Sequence, residues 1–184
     1  MFRSLSHTTL RRTAAGALAV LSCTGASLVA AAPGQAAAVT CHGETATIVG
    51  TSGRDVLNGT EGRDVIAGLA SVDVITGAGG NDLICGGPGS DTIDAGDGKD
   101  SIFAGGSSDV VNGDAGDDKV SGGGGDDALT GNSGNDNIQG DGGSDALAGV
   151  AGDDILVGGD GADDTATGGI GTDSCDAETE VGCE

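Results

Sequence analysis

Along most of this chain one aliphatic side chain returns every nine residues, with glycine and polar positions between. It stands at Ile48, Leu57, Ile66, Ile75, Ile84, Ile93, Ile102, Val111, Val120, Leu129, Ile138, Leu147 and Leu156. The unit 86–94 sets the frame: Gly86, Gly87, Pro88, Gly89, Ser90 and Asp91 are turn-prone, and Thr92, Ile93 and Asp94 place the aliphatic residue eighth. A fixed period means that each copy is one structural unit. Three residues with the middle one inward make a minimal strand, because strand side chains alternate faces. The six-residue part is too rich in glycine for a helix, and glycine permits the positive φ angles of a tight turn. Such a short strand gains stability only by stacking beside its copies. Two units per coil give eighteen residues per turn and two sheets, with the eighth-position side chains meeting between them. From Gly50 to Asp176 this makes about seven turns, roughly 34 Å at ~4.8 Å per strand. There is no Trp or Tyr and only two Phe, so an ordinary aromatic core is excluded. The expected fold is an all-β parallel solenoid.

The sixth position adds chemistry. It is aspartate at Asp55, Asp64, Asp73, Asp82, Asp91, Asp100, Asp109, Asp118, Asp127, Asp136, Asp145 and Asp154; Asp163 keeps the beat, and Asp173 resumes it after one extra residue. In an eighteen-residue coil these fall into two rows on opposite edges. Carboxylates ~5 Å apart repel by about 3 kcal/mol at an effective dielectric near 20. Over a dozen pairs that exceeds the ~5–15 kcal/mol stability of a typical domain. A cation between successive turns reverses the sign. Two aspartates and glycine-loop carbonyls form an all-oxygen shell, which suits the flexible coordination of Ca²⁺ better than the tight octahedron of Mg²⁺. Zinc and copper prefer His or Cys ligands. Each calcium that binds only the folded chain adds ~1.4 kcal/mol at about ten times Kd.

The unit resembles the glycine-rich nonapeptide G-G-x-G-x-D-x-U-x of RTX (haemolysin-type) calcium-binding repeats. The resemblance runs from Gly50 to about Asp176. It implies a right-handed parallel β-roll with two nonapeptides per turn and several Ca²⁺ between adjacent loops. Carried over position by position, it implies the ligands Asp64, Asp82, Asp91, Asp100, Asp109, Asp118, Asp127, Asp136, Asp145, Asp154, Asp163 and Asp173. The best-matching loops are 77–82, 86–91, 113–118, 122–127, 131–136, 140–145 and 158–163. Loop 68–73 departs from the pattern, and loop 104–109 has Ser107 where glycine belongs. Arg54 and Arg63 stand beside the first two aspartates and can replace calcium there as counter-charges. The toxin, protease and adhesin roles of larger relatives do not transfer, because this chain looks like the small standalone repeat proteins exported by the general route.

Residues 1–38 contain Arg3, Arg11 and Arg12, no acid, an apolar run from Ala14 to Ala32 and the small residues Ala36, Ala37 and Ala38. That composition reads as a secretory signal peptide; the rival reading is a lipoprotein anchored at Cys23, after Val20, Leu21 and Ser22. The expected division is a leader over 1–38, an amino-terminal cap over 39–49, the repeat array over 50–176 and a carboxy-terminal cap over 177–184. Removing the leader subtracts three positive charges from a net −22, leaving −25. Such a surface repels nucleic acid and anionic membranes. Cys41, Cys85, Cys175 and Cys183 then form an even set in an exported chain. Three pairings are possible. A disulfide needs Cα atoms within about 7 Å, which favours Cys175–Cys183 at one end and Cys41–Cys85 at the other, each capping the solenoid. A cysteine-bound metal is disfavoured by the lack of any C-x-x-C pair.

No nucleophile–base pair accompanies His42, the one histidine beyond the leader, so the expected function is binding rather than catalysis. The glycine runs lack the Walker lysine of a phosphate loop. The alternative to a calcium-folded secreted protein is a calcium-dependent extracellular binding or adhesion module that meets an unknown partner through a face of the roll. Irregular ninth positions (Asn58, Thr76, Asp94, Asn112 on one side; Cys85, Phe103, Ser121, Gln139 on the other) argue against an ice-binding ladder. Val56, Val74 and Val110 form a modest apolar stripe.

Overall fold

The computed structural model describes residues 26–29 and 38–184, and among these every regular element is a strand. The leader reading, its cleavage site and Cys23 fall almost wholly outside the described residues. The described residues begin with three strands: β1 (Ala26–Val29), β2 (Ala38–Cys41) and β3 (Glu44–Thr45), paired antiparallel in the order β1-β2-β3. Sixteen strands follow, from β4 (Ile48–Val49) to β19 (Thr179–Val181), and alternate between two eight-stranded parallel sheets. One sheet stacks Ile48–Val49, Val65–Ala67, Leu83–Pro88, Ser101–Gly106, Lys119–Gly124, Asn137–Gly143, Ile155–Gly161 and Ser174–Asp176. The other stacks Val56–Asn58, Val74–Thr76, Thr92–Asp94, Val110–Ala115, Ala128–Ser133, Ala146–Ala151, Thr165–Ile170 and Thr179–Val181. The chain is a β-solenoid with an eighteen-residue coil: Ile84 pairs with Ile102, and Ile102 with Val120.

The core is one ladder of eighth-position side chains. Ile66, Ile84, Ile102, Val120, Ile138 and Leu156 from the first sheet meet Ile75, Ile93, Val111, Leu129, Leu147 and Ala166 from the second, all buried. Every inward side chain is small or aliphatic, so the two sheets close without aromatics. In the middle of the array the strands are longer than the expected three residues. Lys119–Gly124 and Ala128–Ser133 have six, because the first positions of the following loop also pair with their copies one coil away.

Register locates the extra residue. Gly143 pairs with Gly161 at a spacing of 18, whereas Ala146 pairs with Thr165 and Leu147 with Ala166, at a spacing of 19. The insertion therefore lies between Gly161 and Asp164. This corrects the expectation for Asp163, which is exposed and has a φ of 70°, while Asp164 is buried in its place. With Asp163 in the row, the inward eighth residue would be Thr165. With Asp164 there, Ala166 turns inward and the threonines on either side stay out.

Two disulfides tie the segments that flank the array to it. Cys41 joins Cys85 with a Cα separation of 5.8 Å, and Cys175 joins Cys183 at 5.9 Å. In a chain-entropy account, loops spanning 44 and 8 residues give about 4 and about 2.5 kcal/mol. The first bond belongs to a second apolar cluster of Cys41, Val65, Leu83 and Cys85, bordered by Ala46, Leu69 and Phe103. Val65 and Leu83 are seventh-position residues that face away from the ladder, and they are buried against Cys41 and Ala46 of the segment that precedes the array. On the opposite sheet Val56 and Val110 have no such cover and are exposed. At the other end Cys175 packs partly buried against the last rungs of the ladder.

Candidate cation-binding rows

The sixth-position aspartates sit where each loop enters its strand, the point at which a coil turns from one sheet to the other. From Asp73 onward they are almost wholly buried, between 0% and 3% exposed, along both edges. Each uses Oδ1 in the same way, accepting the backbone N–H of the aspartate one coil earlier. Asp91 N donates to Asp109 Oδ1 at 2.7 Å, Asp100 N to Asp118 at 2.8 Å and Asp127 N to Asp145 at 2.9 Å. Across the insertion Asp145 N finds Asp164 Oδ1 at 2.8 Å, and Asp154 N finds Asp173 Oδ1 at 3.0 Å. The buried rows therefore bring together Asp82, Asp91, Asp100, Asp109, Asp118, Asp127, Asp136, Asp145, Asp154 and Asp173 as expected, with Asp73 and Asp164 added and Asp163 left out.

The second oxygen differs. Oδ2 of Asp73, Asp82, Asp91, Asp100, Asp109, Asp118, Asp127, Asp136, Asp145, Asp154 and Asp173 is buried with no hydrogen-bond partner. A buried polar oxygen without a donor costs about 1–3 kcal/mol, and more when charged. Asp64 belongs to the other group. Its Oδ2 accepts Thr60 N at 2.8 Å and Thr60 Oγ1 at 2.9 Å, so this expected ligand is already engaged. Asp55 is closed in the same way by Thr51. The sequence pointed to Arg54 and Arg63 as the counter-charges here. Arg63 instead pairs with Glu44 at 2.8 Å, and hydroxyls with backbone N–H groups do the closing.

Burial sets the electrostatics of the open carboxylates. Loss of water pushes Asp109 and Asp118 up to about 7, with the preceding aspartate's N–H pulling down and neighbouring aspartates adding a further rise. The same causes raise Asp91, Asp100, Asp127 and Asp136 to about 6 and shift Asp73, Asp82, Asp145 and Asp154 upward.

The surroundings supply oxygen. A Cβ built on Gly86 would fall 2.6 Å from Asp91 Oδ2 and 2.5 Å from the carbonyl oxygen of Ala104 one coil on. On Gly140 it would meet Asp145 Oδ2 at 2.2 Å and Gly158 O at 2.5 Å. Carboxylate and carbonyl converge because the first loop residue is glycine; Ala95 and Ala104 fill that position in two loops. Among the described residues no three acidic, histidine or cysteine side chains meet at one point. A cation held here would therefore draw on carboxylates and backbone carbonyls together, a hard all-oxygen donor set of the kind calcium takes.

Sequence reasoning missed the fifth position. Asp117 Oδ1 accepts Asn135 N, Asn135 Oδ1 accepts Asp153 N, and Asp153 Oδ1 accepts Thr172 N, at 2.8–3.1 Å. This exposed ladder runs opposite to the buried one, with the earlier coil's side chain accepting from the later coil. Polar residues there are recognisable in the sequence, but they look like ordinary solvated loop residues. On the outer face of the first sheet, His42 stacks on Phe103 with ring centroids 3.4 Å apart. The pair borders a groove of about 650 Å³ that extends over Gly105 and Gly123 to Ser121 and Asp141, on the sheet's face rather than in the aspartate rows.

The model of the RTX calcium-binding nonapeptide repeat (four copies) matches residues 49–84, 86–120 and 121–156. No curated protein matches the chain.

Proposed function

Because the chain belongs to the RTX calcium-binding nonapeptide-repeat family, we propose that it is a secreted protein whose aspartate rows hold several calcium ions and whose folding calcium drives. One observation carries the reading: eleven buried Oδ2 atoms, evenly spaced along both edges, lack a partner. A divalent ion bound between coils would supply the positive charge that two stacked carboxylates lack. The ligands are Asp73, Asp82, Asp91, Asp100, Asp109, Asp118, Asp127, Asp136, Asp145, Asp154 and Asp173, joined by Asp164 in place of Asp163. Glycine-rich loops bring carbonyl oxygens beside them, and the Ile/Leu/Val ladder fixes the coil spacing.

Export is the companion part of the proposal. A leader over 1–38 and two disulfides fit an oxidising compartment. Residues 39–49 and 177–184 then act as caps on an array spanning 50–176. Circular dichroism of the oxidised protein is the test. In chelator the expected spectrum is largely disordered, and millimolar calcium produces β structure in a cooperative step. Equal β content in both buffers rules out calcium-driven folding.

A further inference from the structure

We propose that Thr51 and Thr60 take the place of a cation in the first two loops, so that the amino-terminal coil folds without metal and acts as a template for the calcium-dependent coils. The inference rests on the calcium reading above and concerns which loops are exempt from it.

Thr51 and Thr60 occupy the second position of loops 50–55 and 59–64. Thr51 N and Oγ1 donate to Asp55 Oδ2 at 2.6 and 2.9 Å; Thr60 N and Oγ1 donate to Asp64 Oδ2 at 2.8 and 2.9 Å. In every later loop the second residue has a positive φ: Leu69 84°, Ala78 80°, Asp114 70°, Asn132 76°, Asp141 73°, Val150 87°, and glycine at 87, 96, 105, 123, 159 and 169. Thr51 and Thr60 do not. A β-branched residue resists the left-handed region, so threonine keeps its N–H turned toward the carboxylate. Where the second residue flips to positive φ, as in the loops of Asp73, Asp82 and Asp91 through Asp154, no donor reaches Oδ2. One dihedral at one position thus separates a carboxylate closed by donors from one open to a cation.

The same coil has other holds that need no ion. Arg63 binds Glu44 at 2.8 Å. Thr47 Oγ1 accepts Val65 N at 3.0 Å and donates to Val65 O at 3.1 Å. The Cys41–Cys85 bond and the Cys41, Val65, Leu83, Cys85 cluster fasten the cap to the sheet. In a stacked array each repeat needs a neighbour's edge. A metal-independent first coil provides that edge for both sheets, and calcium then orders the chain from this end.

Hydrogen–deuterium exchange on the full-length, oxidised chain tests this. In chelator, segment 47–67 should stay protected while segments across 113–154 exchange about 100-fold faster, gaining protection only with calcium. A Thr51→Gly/Thr60→Gly variant should lose the amino-terminal protection in chelator and, by calorimetry, take up more calcium than the parent. Thr51→Ser/Thr60→Ser, which keeps the hydroxyls, should retain the parental stoichiometry. Calcium-dependent exchange over 47–67 equal to that over 113–154, or unchanged calcium stoichiometry in the glycine variant, overturns the threonine assignment alone. A parent that binds no calcium and exchanges identically in both buffers overturns the calcium reading itself.

Discussion

Val150 holds a backbone conformation that its side chain resists. Its φ of 87° puts a β-branched residue in the left-handed region, at a cost of about 1–3 kcal/mol. Register explains why it stays there: Val150 lies between Asn132 and Gly169 in the second-position column, and both neighbours also have positive φ. Asparagine tolerates this region and already occupies it one coil below. Val150→Asn should therefore stabilise the calcium-loaded protein by about 1 kcal/mol, read as a raised urea midpoint with an unchanged slope. A lowered midpoint would mean that the half-exposed valine side chain contributes more through packing than it costs in strain. The contrast with Thr51 and Thr60 is instructive. All three are β-branched residues at one position of the repeat, yet the threonines carry a hydroxyl that rewards the other backbone state.

At the scale of one rung, each aspartate acts twice. Asp109 accepts Asp91 N–H through Oδ1, donates its own N–H to Asp127 and leaves Oδ2 unpartnered. Substitutions separate these roles. Asp109→Ala removes the charge and also the acceptor of a buried N–H, so it should be less stable than Asp109→Asn by about 1–3 kcal/mol. Asp109→Asn keeps an acceptor at Oδ1 and removes one charge from the row, so the metal-free chain should gain structure while the calcium midpoint moves to higher concentration. Circular dichroism across a calcium titration measures both, and an asparagine variant with the parental metal-free spectrum would show that row repulsion is unimportant. The rung was legible in the sequence because a period of nine with one aliphatic residue fixes both strand and register. The phase near Asp163 and Asp164 was not, since adjacent aspartates satisfy the sixth position equally. Only the choice between Thr165 and Ala166 as the inward residue decides it. The closed state of Asp64 was equally hidden, because threonine at a turn is unremarkable until its hydroxyl is seen against the carboxylate.

At the scale of the whole molecule, two rows of buried carboxylates within a chain of net charge −22 make proton and calcium competitors for one job. Asp109 and Asp118 titrate near 7 in the metal-free fold, and Asp91, Asp100, Asp127 and Asp136 near 6, against about 4 in an unfolded chain. Between about pH 4 and pH 7 the folded state thus binds more protons than the unfolded one. The stability these groups contribute is fully present below about pH 4 and is lost as the pH rises through 6 to 7. Off the rows, Asp94 moves the same way, raised to about 6 chiefly by its hydrogen bond with Asp114. In metal-free protein, lowering the pH from 7.5 to 5 should restore β structure without any calcium. With calcium present the dependence turns over, because ligand carboxylates must lose their protons to bind metal, and the calcium midpoint should rise toward pH 5. A metal-free β signal that grows with pH would contradict the assignment of the rows as the main obstacle to folding. Acid-induced structure would instead show that the solenoid's backbone and ladder are sufficient once the rows are neutral, whether a proton or a calcium ion neutralises them.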